Sequence, residues 1–173
     1  MELSKILVAR SANLDFVKVV GRGSFQNSGC LKAFYQQLLK DGVTRFVVDL
    51  SACTYLDSTF LGILLGLGLK LKEAGEGRLH ILNASLRNLE LLRNLGLDRL
   101  INVDSQHIEL NGVMEKSLEE VPCPVSTRAE AAPTILEAHT NLMEFDARNV
   151  PKFKDVVEFL REDLGQPAAQ NGH

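Results

Sequence analysis

Two β-rich runs open the chain, Ile6-Leu7-Val8-Ala9 and Phe16-Val17-Lys18-Val19-Val20, with the turn-forming Ser11-Ala12-Asn13 between them. This arrangement predicts a hairpin. After Gly21-Arg22-Gly23-Ser24 the apolar period lengthens. Leu31, Phe34, Tyr35, Leu38 and Leu39 share one face of a helix capped at Asn27 or Ser28 and stopped by Asp41-Gly42. Residues 45–50 predict a strand whose consecutive Phe46, Val47 and Val48 suit cover on both faces, or nearly so. A helix over about 58–74 is apolar around most of its axis until Lys70, Lys72 and Glu73. Its Gly62, Gly66 and Gly68 each cost about 1 kcal/mol against Ala. Gly62 and Gly66 share a face, which predicts close backbone approach to the sheet. A strand over 78–82 follows. Ser85 then caps a helix with Leu86, Leu89, Leu92 and Leu95 as its inner stripe. Gly96 stops that helix, and Leu100-Ile101-Asn102-Val103 reads as the last strand.

Beyond about residue 110 the pattern changes. Residues 111–132, with Val121-Pro122-Cys123-Pro124-Val125, read as a linker. Pro133 suits the first position of a helix carrying Ile135, Leu136, His139, Leu142 and Met143. Val150-Pro151 breaks the pattern before a second helix with Phe153, Val156, Val157, Phe159 and Leu160. Residues 133–165 are thus a two-helix extension, and 166–173 a tail expected to be disordered. Strands alternating with helices over 1–110 imply right-handed crossovers. The fold class is α/β, with helices packed on a mixed, mostly parallel β-sheet.

Composition narrows the function classes. A hydrophobic fraction of 45% supports a core, and a net charge of −3 gives no global attraction to nucleic acid or anionic membrane. No Trp and two Tyr leave no aromatic platform for bases. The most apolar run, Phe60 to Leu69, is far short of the roughly 20 residues of a membrane span. The first ten residues lack a signal-peptide layout, so the expected location is cytoplasmic. Cys30, Cys53 and Cys123 show no metal-ligand spacing. They are expected to be reduced thiols, with no metal and no cofactor. His80, His107 and His139 share no spacing with acids or cysteines and read as solvated or hydrogen-bonded.

The chemistry gathers at Asp57-Ser58-Thr59, between the strand after Val47 and the apolar helix. Ser58 there can cap free amides, worth about 0.5–2 kcal/mol. A phosphate at that point would also meet the positive end of the helix, while its charge of about −1.5 to −2 would sit beside Asp57. Phe60, if exposed, would be an apolar contact, and Ser24 and Phe25 lie beside this rim. Catalysis is not expected, because no base, metal set or phosphate loop accompanies the serine in sequence.

The run 47–62, the helix after it, and the segments Leu79-His80-Ile81-Leu82-Asn83-Ala84-Ser85 and Asn94-Leu95-Gly96-Leu97-Asp98-Arg99-Leu100 resemble a STAS domain, most closely the bacterial anti-sigma-factor antagonists. The resemblance covers about residues 5–105. It implies a partner-switching module whose Ser58 is phosphorylated by an anti-sigma factor that is a serine kinase, and reset by a serine phosphatase. Asp57, Ser58, Thr59 and Phe60, with Ser24 and Phe25, are the implied partner rim. The family usually carries Gly where Phe60 stands, and an acidic loop where Gly21-Arg22-Gly23-Ser24-Phe25 is basic. STAS-like domains also serve as scaffolds, sensors or transporter-accessory subunits, a second reading in which Ser58 is only a cap. The extension could form a homodimer, hold a partner or pack back on the sheet.

Overall fold

The computed structural model describes residues 3–10, 14–75, 77–104 and 116–165. The expected turn at 11–13, His107 and the tail from 166 lie outside them. Strands β1 (Lys5–Arg10) and β2 (Asp15–Gly23) pair antiparallel, as the hairpin pattern requires. There follow α1 (Phe25–Lys40), β3 (Arg45–Asp49), β4 (Cys53–Leu56), α2 (Ser58–Glu73), β5 (Arg78–Leu82), α3 (Leu86–Asn94), β6 (Asn102–Val103), β7 (Glu119–Glu120), α4 (Arg128–Phe145) and α5 (Val150–Asp163). The strand order is β6-β5-β3-β2-β1-β7, and β4 pairs with the far end of β2. The pairs β2–β3, β3–β5, β5–β6 and β2–β4 are parallel, while β1–β2 and β1–β7 are antiparallel. The mixed, mostly parallel α/β sheet is borne out.

Alternation sorts the strands onto two faces. Val17, Val19, Phe46, Val48, Leu79 and Ile81 are buried with Leu31, Tyr35 and Leu38 of α1 and most of α2 in one core. On the opposite face Phe16 is buried, but Lys18, Val47 and His80 are half-buried. The consecutive apolar residues of β3 therefore do not mean equal cover on both sides.

Several local expectations are corrected. Helix α1 starts at Phe25 with Ser24 as its cap, because Ser24 Oγ accepts from the Gln26 N–H (3.2 Å) and Asn27 Oδ1 accepts from the Ser24 N–H (2.9 Å). Asn27 is thus the reciprocal partner of the cap. In α3, Leu86 is 82% exposed and leaves the inner stripe to Leu92 and Leu95. Two residues of the expected linker, Glu119 and Glu120, form a strand against Val8 and Leu7. Helix α4 begins at Arg128, five residues before Pro133. A Thr127/Glu130 capping box starts it, with bonds of 2.9 and 3.2 Å. Pro133 then forgoes only the bond to the carbonyl of the exposed Ala129. Nor are all the cysteines reduced thiols, since Cys30 on α1 and Cys123 after β7 form a disulfide. Cys53 is buried and outside it.

The C-terminal helices lie on the α1–α2 layer. Ala138 and Leu142 of α4 belong to the main core. Gly62 allows this approach, since a Cβ there would meet the Ala138 carbonyl oxygen at 2.3 Å. The close approach expected of Gly62 is therefore to α4 and not to the sheet. At the α4–α5 turn, Asn149 Nδ2 donates to the Leu95 and Leu142 carbonyls, both at 2.9 Å. Arg148 and Arg99 hold the Asp146 carboxyl well below the ordinary carboxylate range.

Candidate partner-binding and modification site

The N-termini of α1 and α2 converge on one carboxylate. Asp57 has extended backbone, and its N–H donates to the Gly23 carbonyl (2.9 Å), so β2 fixes where α2 begins. Asp57 Oδ1 accepts from the Phe60 N–H (2.8 Å), and Oδ2 accepts from the Phe25 N–H (2.8 Å). One side chain thus serves both helices. Burial raises the Asp57 pKa from its ordinary value, against the lowering effect of the Phe60 and Phe25 amides and of His139. The cap of α2 is therefore Asp57. Ser58 is the first helical residue, and its hydroxyl is left for another partner.

That partner comes from the extension. Ser58 Oγ lies 2.8 Å from Nε2 of His139, in the middle of α4. The other ring nitrogen, Nδ1, is 2.7 Å from the Ile135 carbonyl oxygen, which can only accept. Nδ1 therefore carries the proton, and Nε2 accepts from the Ser58 hydroxyl. Burial lowers the His139 pKa, opposed by the Ile135 carbonyl and by Asp57, and this favours the neutral ring. Phe153 of α5 closes the other side edge-on, with ring centroids 4.9 Å apart. His139 was legible only as a polar residue on an apolar helical face. Its pairing with Ser58, 81 positions away, has no local signal. A base does accompany the serine, contrary to the expectation from sequence.

The six expected rim residues divide. Ser24, Phe25, Asp57 and Ser58 come together, all half-buried. Thr59 is 4% exposed, and Phe60 is wholly buried. Phe60 as an exposed contact is thereby corrected. The bare backbone of Gly23 leaves it a place, since a Cβ there would lie 2.9 Å from the Phe60 ring and 2.7 Å from Leu56. Phe25 packs against the apolar cluster of Ala131, Ala132, Ile135, Leu136, Val157 and Leu160 on α4 and α5. Lys32 of α1 pairs with Glu137 of α4. The extension therefore lies over this rim. Among the described residues no group of three or more His, Cys, Asp or Glu could hold a metal, and no helix is long and apolar enough to cross a membrane.

A mixed sheet of this order with helices packed on it is the fold of a STAS-type module. The chain belongs to the STAS family described as "Mlab, STAS domain", whose model matches residues 6–102. The fold is shared with an anti-sigma factor antagonist from Mycobacterium paratuberculosis, with a TM-score of 0.54 and 21% identity over 66% of this chain and 94% of that one. A candidate anti-sigma factor antagonist from Thermotoga maritima is similar, with a TM-score of 0.52 and 18% identity over 68% of this chain and 94% of that one. Comparison with curated proteins gives no match. Helices α4 and α5 lie beyond the matched family segment.

Proposed function

We propose that this protein is a regulatory protein-binding module, an anti-sigma-factor antagonist in a partner-switching pathway, controlled by phosphorylation of Ser58. The observation that carries the reading is the Asp57–Ser58 junction. Asp57 does the structural work of capping, and this leaves the Ser58 hydroxyl as a side chain whose change need not unfold α2. A serine kinase would transfer the terminal phosphoryl group of ATP to Ser58 Oγ. The Oγ–P bond forms, the bond to the oxygen that leaves with ADP breaks, and the hydroxyl proton passes to a base. The new dianion then sits beside a carboxylate that already occupies the Phe60 amide. Repulsion dominates there, so the modification acts on what the rim binds. The partner is an anti-sigma factor with serine-kinase activity, and a serine phosphatase resets the cycle. The protein itself is not an enzyme, and it acts in the cytoplasm, where the Cys30–Cys123 disulfide meets a reducing environment.

One observation favours a second reading, a constitutive scaffold or transporter-accessory subunit. The Ser58 hydroxyl is already satisfied by His139. Pull-downs from the native host with wild-type and Ser58→Asp baits separate the two. A kinase-like partner retained by wild-type and lost by Ser58→Asp supports the switch, whereas identical partners from both baits overturn it. Mass-spectrometric mapping of phosphate on the protein from growing cells provides the second check.

A further inference from the structure

The extension does more at the rim than bury its own apolar faces. Three contacts from α4 fall on the site or on the helix α1 beside it. His139 takes the hydroxyl of Ser58, Glu137 pairs with Lys32 of α1, and the cluster around Ile135 covers Phe25. Between them, Ala138 is fully buried directly over Gly62, at a contact that leaves no room for a Cβ on α2. A kinase must bring a phosphoryl group in line with Ser58 Oγ, and the hydrogen bond to Nε2 already occupies that oxygen's surroundings. A phosphorylated Ser58 could not keep this contact either, because the phosphate would enter the volume held by the imidazole, 2.8 Å from Oγ.

We infer that α4 and α5 form an autoinhibitory arm. In this structure the arm occupies the α1–α2 surface and engages the hydroxyl of the half-buried Ser58, which becomes fully reachable only when α4 lifts. Lifting uncovers Phe25, Lys32 and Gly62 together with Ser58, and this is the surface that a partner meets. The inference rests on the proposed switch at Ser58 for its biological meaning, but the closure itself can be tested without any kinase.

The test is thiol alkylation of the full-length chain carrying Ser58→Cys, with iodoacetamide as the probe and peptide mass spectrometry as the readout. Cys53 is buried and the other two cysteines are joined, so the new thiol is read without interference. Two further substitutions, one turn apart on the same helix, supply the comparison. Gly62→Ala drives a methyl group into the α4 backbone, whereas Gly66→Ala meets side-chain atoms alone, Asn141 Nδ2 at 3.0 Å and the Tyr35 hydroxyl at an ordinary contact distance of 3.5 Å. Both bring the same gain in helix propensity. Overpacking of the kind forced by Gly62→Ala should raise the alkylation rate between about 5- and 150-fold over Ser58→Cys alone. Gly66→Ala should change it by less than about twofold. Equal rates for all three proteins overturn the inference, as does equal acceleration by Gly62→Ala and Gly66→Ala. If Gly62→Ala does not fold, Ala138→Leu enlarges the same contact from the arm and leaves α2 untouched. Protected thiol with no phosphate found in cells would fault the switch and leave the arm standing. An unprotected thiol with phosphate found would do the reverse.

Discussion

Replacing Asp57 by Ala should cost more stability than replacing its neighbour Ser58, and the reason lies in its two oxygens. One accepts from the Phe60 N–H and the other from the Phe25 N–H, each at 2.8 Å. An N-cap acceptor is worth about 1 kcal/mol, within a range of roughly 0.5–2. Two such bonds therefore set a gross loss near 2–3 kcal/mol. The raised pKa of Asp57 shows that burying its charge opposes part of this gain, and truncation relieves that opposition. The net loss is about 2 kcal/mol. For a chain of this size that lowers the melting temperature by about 4–8 °C. Asp57→Asn keeps one acceptor and turns an amide group toward the other N–H, so it should lose at least half as much. Ser58→Ala removes only the bond to His139, about 0.5–1.5 kcal/mol. Thermal and urea unfolding followed by far-UV circular dichroism at pH 7 gives the order Asp57→Ala below Asp57→Asn below Ser58→Ala below wild-type. An Asp57→Ala protein melting within about 1 °C of wild-type would refute the double cap. A Ser58→Ala protein less stable than Asp57→Ala would return the cap to Ser58.

Other expectations follow from the same contacts. The His139 pKa is lowered in the fold, so the unfolded chain takes up the proton first as pH falls through the ordinary histidine range. Stability tied to neutral His139 is therefore complete above about pH 6.5 and is lost below it. The fall in melting temperature between pH 7.5 and 5.5 should be smaller in His139→Gln, and an unchanged fall would remove His139 as its source. The disulfide closes a loop between positions 93 apart, worth about 2–4 kcal/mol. Ellman titration should find no reactive thiol in the native protein, one after denaturation and three after denaturation with reductant. Three in the non-reduced denatured protein would refute the bond. Finally, Leu92→Ala should cost about 2–5 kcal/mol, whereas Leu86→Glu, at a position 82% exposed, should stay within about 0.5 kcal/mol of wild-type in urea titrations.

What the chain discloses in its sequence follows the range of each interaction. The hairpin, the parallel strands and the helix ends at Ser85 and Gly96 depend on neighbours a few positions away, and the hydrophobic period carries them. The cap at Ser24 and the Thr127/Glu130 box are equally local, but Asn27 and Pro133 carry competing start signals downstream of both. Short strands such as Glu119–Glu120 carry no periodicity, and only the edge of β1 selects them.

The site is harder to read because its decisive contacts are distant. Asp-Ser-Thr at a strand-to-helix junction marks the place, yet it leaves open which oxygen caps and which is spare. Phe25 settles that question from 32 positions away, by giving Asp57 a second amide to hold. His139 settles the state of Ser58 from 81 positions away. Gly62 is a local sign that another backbone comes close. A glycine in the middle of a strongly apolar helix costs stability unless a backbone must come close, and the backbone that comes close is α4. The matched family segment ends at residue 102, so the part of the chain that governs access to Ser58 is the part outside it. Regulation of this module should accordingly be sought in how α4 and α5 are released, with the α/β sheet serving as the fixed base from which they lift.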